Sequence, residues 1–375
     1  MSEQPLAPSS TSNDAVGDPL TPTAAMDTGS SQVGPPPPPS NAPLRAGEPG
    51  RVRRLISDLL YSYSVVWALI AEIIFFSVLR PDSFFTVANA QSILGSQAVL
   101  LIIALGLTIP LAVNEFDLSI GAVASFSQVI LGWLAVYHHW PLGPAVLVAL
   151  GLCVVVGLVN AALVVRIGVG AFIATLAMGT LLTGVAIKIT DSQPIPNIPT
   201  TLVQLSGNTL LGLQLVFWYG LAEAIVLWYV LAKTPLGRWL YFAGANREAA
   251  RLNGVPVAAL RAGSFVASAT IAGIAGILYA GIFGTADPNV GDTFLLPAFA
   301  AAFLGATAVT PGRFNAWGTF LSVYLVITGI VGLSFVTGET GWISNVFNGA
   351  VLMVAVAAQR IVAVRRARLG GASYS

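Results

Sequence analysis

The chain has 375 residues, of which 55% are hydrophobic and only 9% charged, with a formal net charge of +1 and a mean hydropathy of +0.81. Ordinary soluble domains carry roughly 25% charged residues, so the composition is that of a polytopic membrane protein, and the near-zero net charge argues against an extended nucleic-acid surface. The single cysteine, Cys153, lies in an apolar run, which rules out an internal disulfide and a cysteine metal cluster.

Residues 1–54 are dominated by Ser, Thr, Pro, Gly and Ala, with an unbroken proline run at 35–39. Such a segment cannot bury enough apolar surface to fold, and a disordered cytoplasmic tail is expected. The first apolar run begins near Tyr61, far from Met1, so no cleaved signal peptide is expected and the tail stays on. A polyproline ligand is the alternative reading of the proline run, and a tail without a specific partner is the commoner case.

Ten apolar segments follow, each near the roughly 20 residues needed to cross the hydrocarbon core. They cover 61–79, 92–113, 118–137, 143–165, 171–189, 213–231, 262–284, 294–309, 316–336 and 342–364. The fold class expected is an all-α membrane domain over 55–364, with a cytoplasmic loop at 233–261 and a C-terminal tail at 365–375. Only Asn114, Glu115, Phe116 and Asp117 separate the second and third segments, which leaves the depth of that stretch open.

Orientation follows from the basic residues, because positive loops are retained in the cytoplasm. Arg51, Arg53 and Arg54, then Arg166, then Lys233, Arg238, Arg247, Arg251 and Arg261, then Arg313, and finally Arg360, Arg365, Arg366 and Arg368 all fall on one side of a ten-span alternation. The loops 191–212, 285–293 and 337–341 contain neither Lys nor Arg, and the exceptions, Arg80 and Lys188, sit where they can snorkel from helix ends. Both termini are therefore expected in the cytoplasm. A cut in the loop 191–212 gives two halves of five spans, and an odd number would invert the second relative to the first. No residue-level repeat accompanies that geometry.

Within the spans, Glu72 and Glu223 are the acidic residues, each placed where a charge costs about 2.5–3.5 kcal/mol. Protonation, polar partners or a water path would each accommodate them, and no His or Arg completes a proton relay. His138 and His139 adjoin Trp140 in an outer loop and read as interfacial rather than as metal ligands. Gln97, Gln128, Asn160, Thr175, Asn345 and Asn348 can satisfy one another across helices or meet a polar solute. Ser268, Ala272, Gly276, Ala280 and Gly284 form a stripe of small residues at every fourth position, suited to packing inside the subunit or to a subunit interface.

The loop 233–261 breaks the apolar pattern. Asn246 can cap a short helix, Glu248 suits its positive end, and Gly254 followed by Pro256 would stop it after about two turns. A helix this short is marginal alone in water, so a partner surface is expected on it. No phosphate-loop, dinucleotide, zinc-protease or serine-nucleophile motif occurs, and neither a cofactor nor a metal is called for. If ATP drives transport, another polypeptide must bind it.

Glu248, Ala249, Ala250 and Gly254, preceded by Thr234, Pro235, Leu236, Gly237 and Arg238 and by Gly244, Ala245 and Asn246, resemble the coupling loop of ATP-binding-cassette importer permeases, the ribose-type monosaccharide family in particular. The stretches 117–121 (Asp-Leu-Ser-Ile-Gly), 157–160 (Gly-Leu-Val-Asn) and 172–176 (Phe-Ile-Ala-Thr-Leu) with Gly179 are similar to that family's segments and occur in its order, across roughly residues 98–359. Two departures stand out: Glu115 and Phe116 replace a Gly-Ile pair, and 305–312 replaces a glycine-rich run.

The resemblance implies a dimerising permease that binds cytoplasmic ATPase subunits through Gly237, Arg238, Asn246, Glu248, Ala249, Ala250 and Gly254, sits in membrane lipid, and receives solute from an extracytoplasmic binding protein. The candidate solute path comprises Gln97, Glu115, Asp117, Ser119, Asn160, Thr175, Asn345 and Asn348. A monosaccharide is the expected solute, with a polyol, nucleoside or branched-chain amino acid as alternatives in the same class. From other classes, a proton-coupled secondary transporter would use Glu72 and Glu223 and would not need a capped loop, and a membrane scaffold would leave the polar residues in the spans without a role.

Overall fold

A computed structural model describes residues 63–339 and 341–371; the expected tail 1–54, with its proline run and four arginines, and the final residues 372–375 lie outside the described residues. The chain begins with α1 (Ser64–Leu79), α2 (Val87–Ser96) and α3 (Ala98–Ala112), then α4 (Ile120–Gly132) and α5 (Leu142–Ala161), each extended by a π turn at Trp133–Tyr137 and Ala162–Ile167. After α6 (Ala171–Thr190) a loop holds β1 (Ile195–Pro196), α7 (Thr200–Gly207) and the hairpin of β2 (Thr209–Leu210) with β3 (Leu213–Gln214). Next come α8 (Leu215–Lys233), α9 (Pro235–Ala245), α10 (Arg247–Leu252) and α11 (Val257–Phe283). Last are β4 (Thr285–Ala286), α12 (Gly291–Gly305), α13 (Ala316–Thr337) and α14 (Gly341–Gly371).

Seven helices among the described residues are long and apolar enough to cross a membrane, or eight if the bent pair α2 and α3 forms one span. The shorter apolar helices α1 and α12 occupy the first and eighth expected positions. The segment expected to run unbroken over 92–113 is corrected: it breaks at Gln97, whose φ of −99° and ψ of 3° leave the helix, and the two pieces meet at 42°. α14 also continues to Gly371, past the expected end at 364.

α3, apolar apart from Thr108, and α4, which also carries Ser125, Ser127 and Gln128, are almost wholly buried, as expected for helices at the centre of a bundle. α5, α6 and α8 instead turn large residues such as Leu147, Ile173 and Val226 outward, where hydrocarbon would meet them. α11 packs on α3, α4 and α5 together. Its stripe is the reason: Ser268, Ala272, Gly276 and Ala280 are buried inside the subunit, and a Cβ on Gly276 would stand 2.0 Å from the Ala124 carbonyl. These four positions pack within the chain, while Gly284, the fifth, is half-buried, ends α11 at φ +66°, and a Cβ there would meet nothing within 4 Å.

Loops expected on a common side do meet. β1 pairs antiparallel with β4, joining 191–212 to 285–293, and Arg80 reaches the Val336 carbonyl at 3.4 Å. At the other end Glu115 meets Arg247, and the Tyr241 hydroxyl donates to the Phe314 carbonyl at 2.6 Å. Asn114 and Glu115 therefore lie at the same end of the bundle as the polar loop, not midway through it.

Candidate functional site

Thr234 opens the polar loop. Its hydroxyl caps α9 by accepting from the Gly237 amide, and Pro235 fills the first helical position, where no donor is needed. Gly237 has to lack a side chain, because a Cβ there would sit 2.2 Å from the Leu231 carbonyl at the end of α8. Gly244 is similarly pressed against the Ala112 carbonyl, so α9 lies directly on the C-terminal end of α3.

Asn246 ends α9 and begins α10, its side-chain oxygen accepting from the Ala249 amide at 2.9 Å. Glu248 lies in the first turn, exposed, and pairs with Arg251 at 3.0 Å. Ala249 is half-buried and Ala250 fully buried, so the helix turns one edge inward while Glu248, Arg251 and Leu252 face out. Gly254 has φ +76°, and a Cβ would meet nothing within 4 Å, so only backbone conformation selects glycine there. Pro256 lies past the end of α10 at Leu252 and is also the N-cap of α11.

The face of α9 carrying Arg238 and Tyr241 lines a cavity of about 1150 Å³, shared with Asn114, Arg313, Asn315 and Trp317. The Arg313 guanidinium lies 5.4 Å from the Tyr241 ring centre. Burial pushes the Tyr241 phenol up to about 12, with Arg313 acting in the opposite direction, so it serves as a neutral donor to Phe314.

Beside this loop the three separated sequence motifs converge on one polar knot. Asp117 is fully buried and accepts from the Ser119 amide at 3.0 Å, the Ser119 hydroxyl at 2.6 Å and the Ser268 hydroxyl at 2.8 Å. Asn160 donates to the Ser119 hydroxyl at 2.9 Å. Thr175 donates to the Phe116 carbonyl at 3.2 Å and the Ala171 carbonyl at 2.8 Å and accepts from the Leu118 amide at 3.0 Å. Gly157, one turn before Asn160, lets α5 touch the α11 backbone at Val266, where a Cβ would stand 2.6 Å from Val266 Cα.

Glu115 adjoins the knot and is only 4% exposed, with Arg247 at 2.7 Å and Arg261 at 2.5 Å. Phe116 stacks on Phe299 and Phe303 of α12 at 6.4 and 6.3 Å. The structure thus unites five of the eight candidate path residues: Glu115, Asp117, Ser119, Asn160 and Thr175. It leaves three apart. Gln97 sits at the α2 to α3 bend, Asn345 is exposed on α14, and Asn348, on the same helix, is buried with its side-chain oxygen unpartnered.

Three partners were not read as such from the sequence. Ser268 counted only as a small residue, while Arg247 and Arg261 counted only as loop charges. A carboxylate between two apolar runs in a chain this poor in charge was the available signal, because a buried acid requires a counter-charge. Glu72 and Glu223 are half-buried, each with one carboxyl oxygen buried and unpartnered; Glu223 lines a cavity of about 340 Å³ with Ser264.

The sequence matches the family described as branched-chain amino acid transport system, permease component, over residues 89–356. It is 30% identical over 263 residues to the ribose import permease RbsC of Haemophilus influenzae, covering 69% of this chain and 81% of that protein. It is equally similar, 30% over 290 residues, to RbsC of Bacillus subtilis, with 77% and 89% covered. To the L-arabinose permease AraH of Azospirillum brasilense it is 28% identical over 318 residues, with 84% and 93% covered. No solved structure is significantly similar to it.

Proposed function

The chain belongs to this permease family of ATP-binding-cassette importers, and from that premise we propose that it carries a monosaccharide into the cytoplasm, driven by ATP hydrolysed on separate subunits that dock on α9 and α10. It is a multi-pass protein of the plasma membrane, and the relatives named for ribose and arabinose support a sugar over the amino acids in the family description. The capped helix Arg247–Leu252 is the observation that carries the docking reading, since a six-residue helix with an exposed acidic first turn lacks the length to be stable alone.

We propose a finer arrangement that agrees with the same premise. Ten spans, with α1, α12 and the bent pair each counted as one, put both termini and the loop 233–261 in the cytoplasm and split into two halves of five, the second inverted. A second copy of the chain completes the translocation path, and an extracytoplasmic binding protein delivers solute to the face where β1 pairs with β4. The chain itself is not an enzyme. The knot around Asp117 supports the inner end of the path, and Gln97, Asn345 and Asn348 supply polar groups elsewhere along it.

Uptake of labelled ribose and arabinose into proteoliposomes holding the chain with the ATPase and binding protein encoded beside it tests the reading. ATP-dependent uptake of either sugar is expected. Uptake driven by a pH gradient without the ATPase, and abolished by Glu72→Gln or Glu223→Gln, would replace this reading with proton coupling.

A further inference from the structure

Both charge partners of Glu115 reach the same oxygen, Oε1: Arg247 through Nη2 and Arg261 through Nε. The two arginines are placed differently. Arg247 is the first residue of α10, its side chain 44% exposed, and it also donates to the Asn114 carbonyl at 3.2 Å. Arg261 stands in the second turn of α11 with its side chain 18% exposed. Arg261 and Ser268 are seven residues apart on α11, two turns and so one face, and they hold Glu115 and Asp117, two residues apart in the knot.

A buried carboxylate with a single counter-charge cannot let it go without being left uncompensated in a poorly solvated place. Glu115 has two, so Arg247 can leave while Arg261 keeps the charge matched. We propose that the Arg247 to Glu115 contact is a releasable latch between the docking helix and the transmembrane core, with Arg261 as the fixed counter-ion that makes release and re-formation easy. The inference rests on the docking role assigned to α10. Latched, a displacement of α10 is delivered to the end of α3 and, through Asp117 and Ser268, to α11; unlatched, α10 moves without the core.

The test uses the complete complex in proteoliposomes and compares ATPase rate with and without loaded binding protein. Arg247→Gln should reach the membrane at wild-type abundance, raise the basal rate at least threefold and bring the ratio of stimulated to basal rate close to one. Arg247→Lys should restore at least half of that ratio, while Arg261→Gln should lower abundance at least threefold. A wild-type ratio in Arg247→Gln overturns the latch, and so does a loss of abundance in Arg247→Gln as large as in Arg261→Gln, which would make both arginines equally structural. If the wild-type complex shows no ATP-dependent uptake, the docking reading itself falls and takes the latch with it.

Discussion

Gly121 and Gly291 touch backbone to backbone: a Cβ built on Gly121 would stand 2.3 Å from the Gly291 carbonyl oxygen, and one on Gly291 would stand 2.1 Å from the Gly121 carbonyl oxygen. Gly121 closes the Asp-Leu-Ser-Ile-Gly stretch, so the motif's glycine is what brings α12 against α4, beside the knot its aspartate anchors. The Gly291 amide adds a hydrogen bond to the Ser125 hydroxyl at 2.7 Å.

Either Gly121→Ala or Gly291→Ala should therefore destabilise the bundle by about 1–3 kcal/mol through overpacking. Thermal unfolding in detergent would register the loss. The double variant should be no better than the worse single one, because each methyl collides with main chain rather than with the other methyl. Recovery in the double variant would contradict the contact.

Gly254→Val should cost about 1–3 kcal/mol locally, since φ of +76° is unfavourable for a branched residue although the space is open. Glu248→Lys loses a solvent-exposed pair worth at most about 1 kcal/mol and places a positive charge at a positive helix end. Both variants should reach the membrane in near-normal amount yet lose ATP-dependent uptake. Normal uptake by both at normal abundance would remove α10 as the docking element.

Sidedness has a direct readout. In a Cys153→Ala background, Asn208→Cys, exposed after α7, should react with an impermeant thiol reagent in intact cells, and Ala258→Cys, exposed at the start of α11, should not. Ser206, in the same outer loop, is unsuited because it is buried against Gly281. The reverse labelling pattern would invert the orientation.

The purified chain alone should show no ATP hydrolysis above background, with turnover appearing only when its ATPase partner is added. Hydrolysis that persists in the chain after contaminating ATPases are removed would overturn the division of labour.

What the sequence revealed was whatever is local. Run length located the apolar helices, and Asn246 with Gly254 bounded α10 because capping and positive φ are properties of a few adjacent residues. The bend at Gln97 was not expected, although Gly95, Ser96 and Gln97 interrupt the apolar run where the main chain leaves the helix. Pairings across the chain were equally hidden: Asp117 and Ser268 are 151 positions apart, and nothing in either neighbourhood names the other. Polar type alone also could not separate Asn160, tied into the knot, from Asn345, which is exposed.

The direction of the hydrogen bonds around Asp117 has a consequence for selectivity. Asn160 gives its proton to Ser119, Ser119 gives its own to Asp117, and Ser268 gives another from the opposite side, so the hydroxyl protons all run toward one carboxylate. A passing sugar offers hydroxyls that are both donors and acceptors, and it finds here no serine proton left to receive. Asn160 Oδ1, buried without a hydrogen-bond partner, is the acceptor this knot leaves open to a hydroxyl donor.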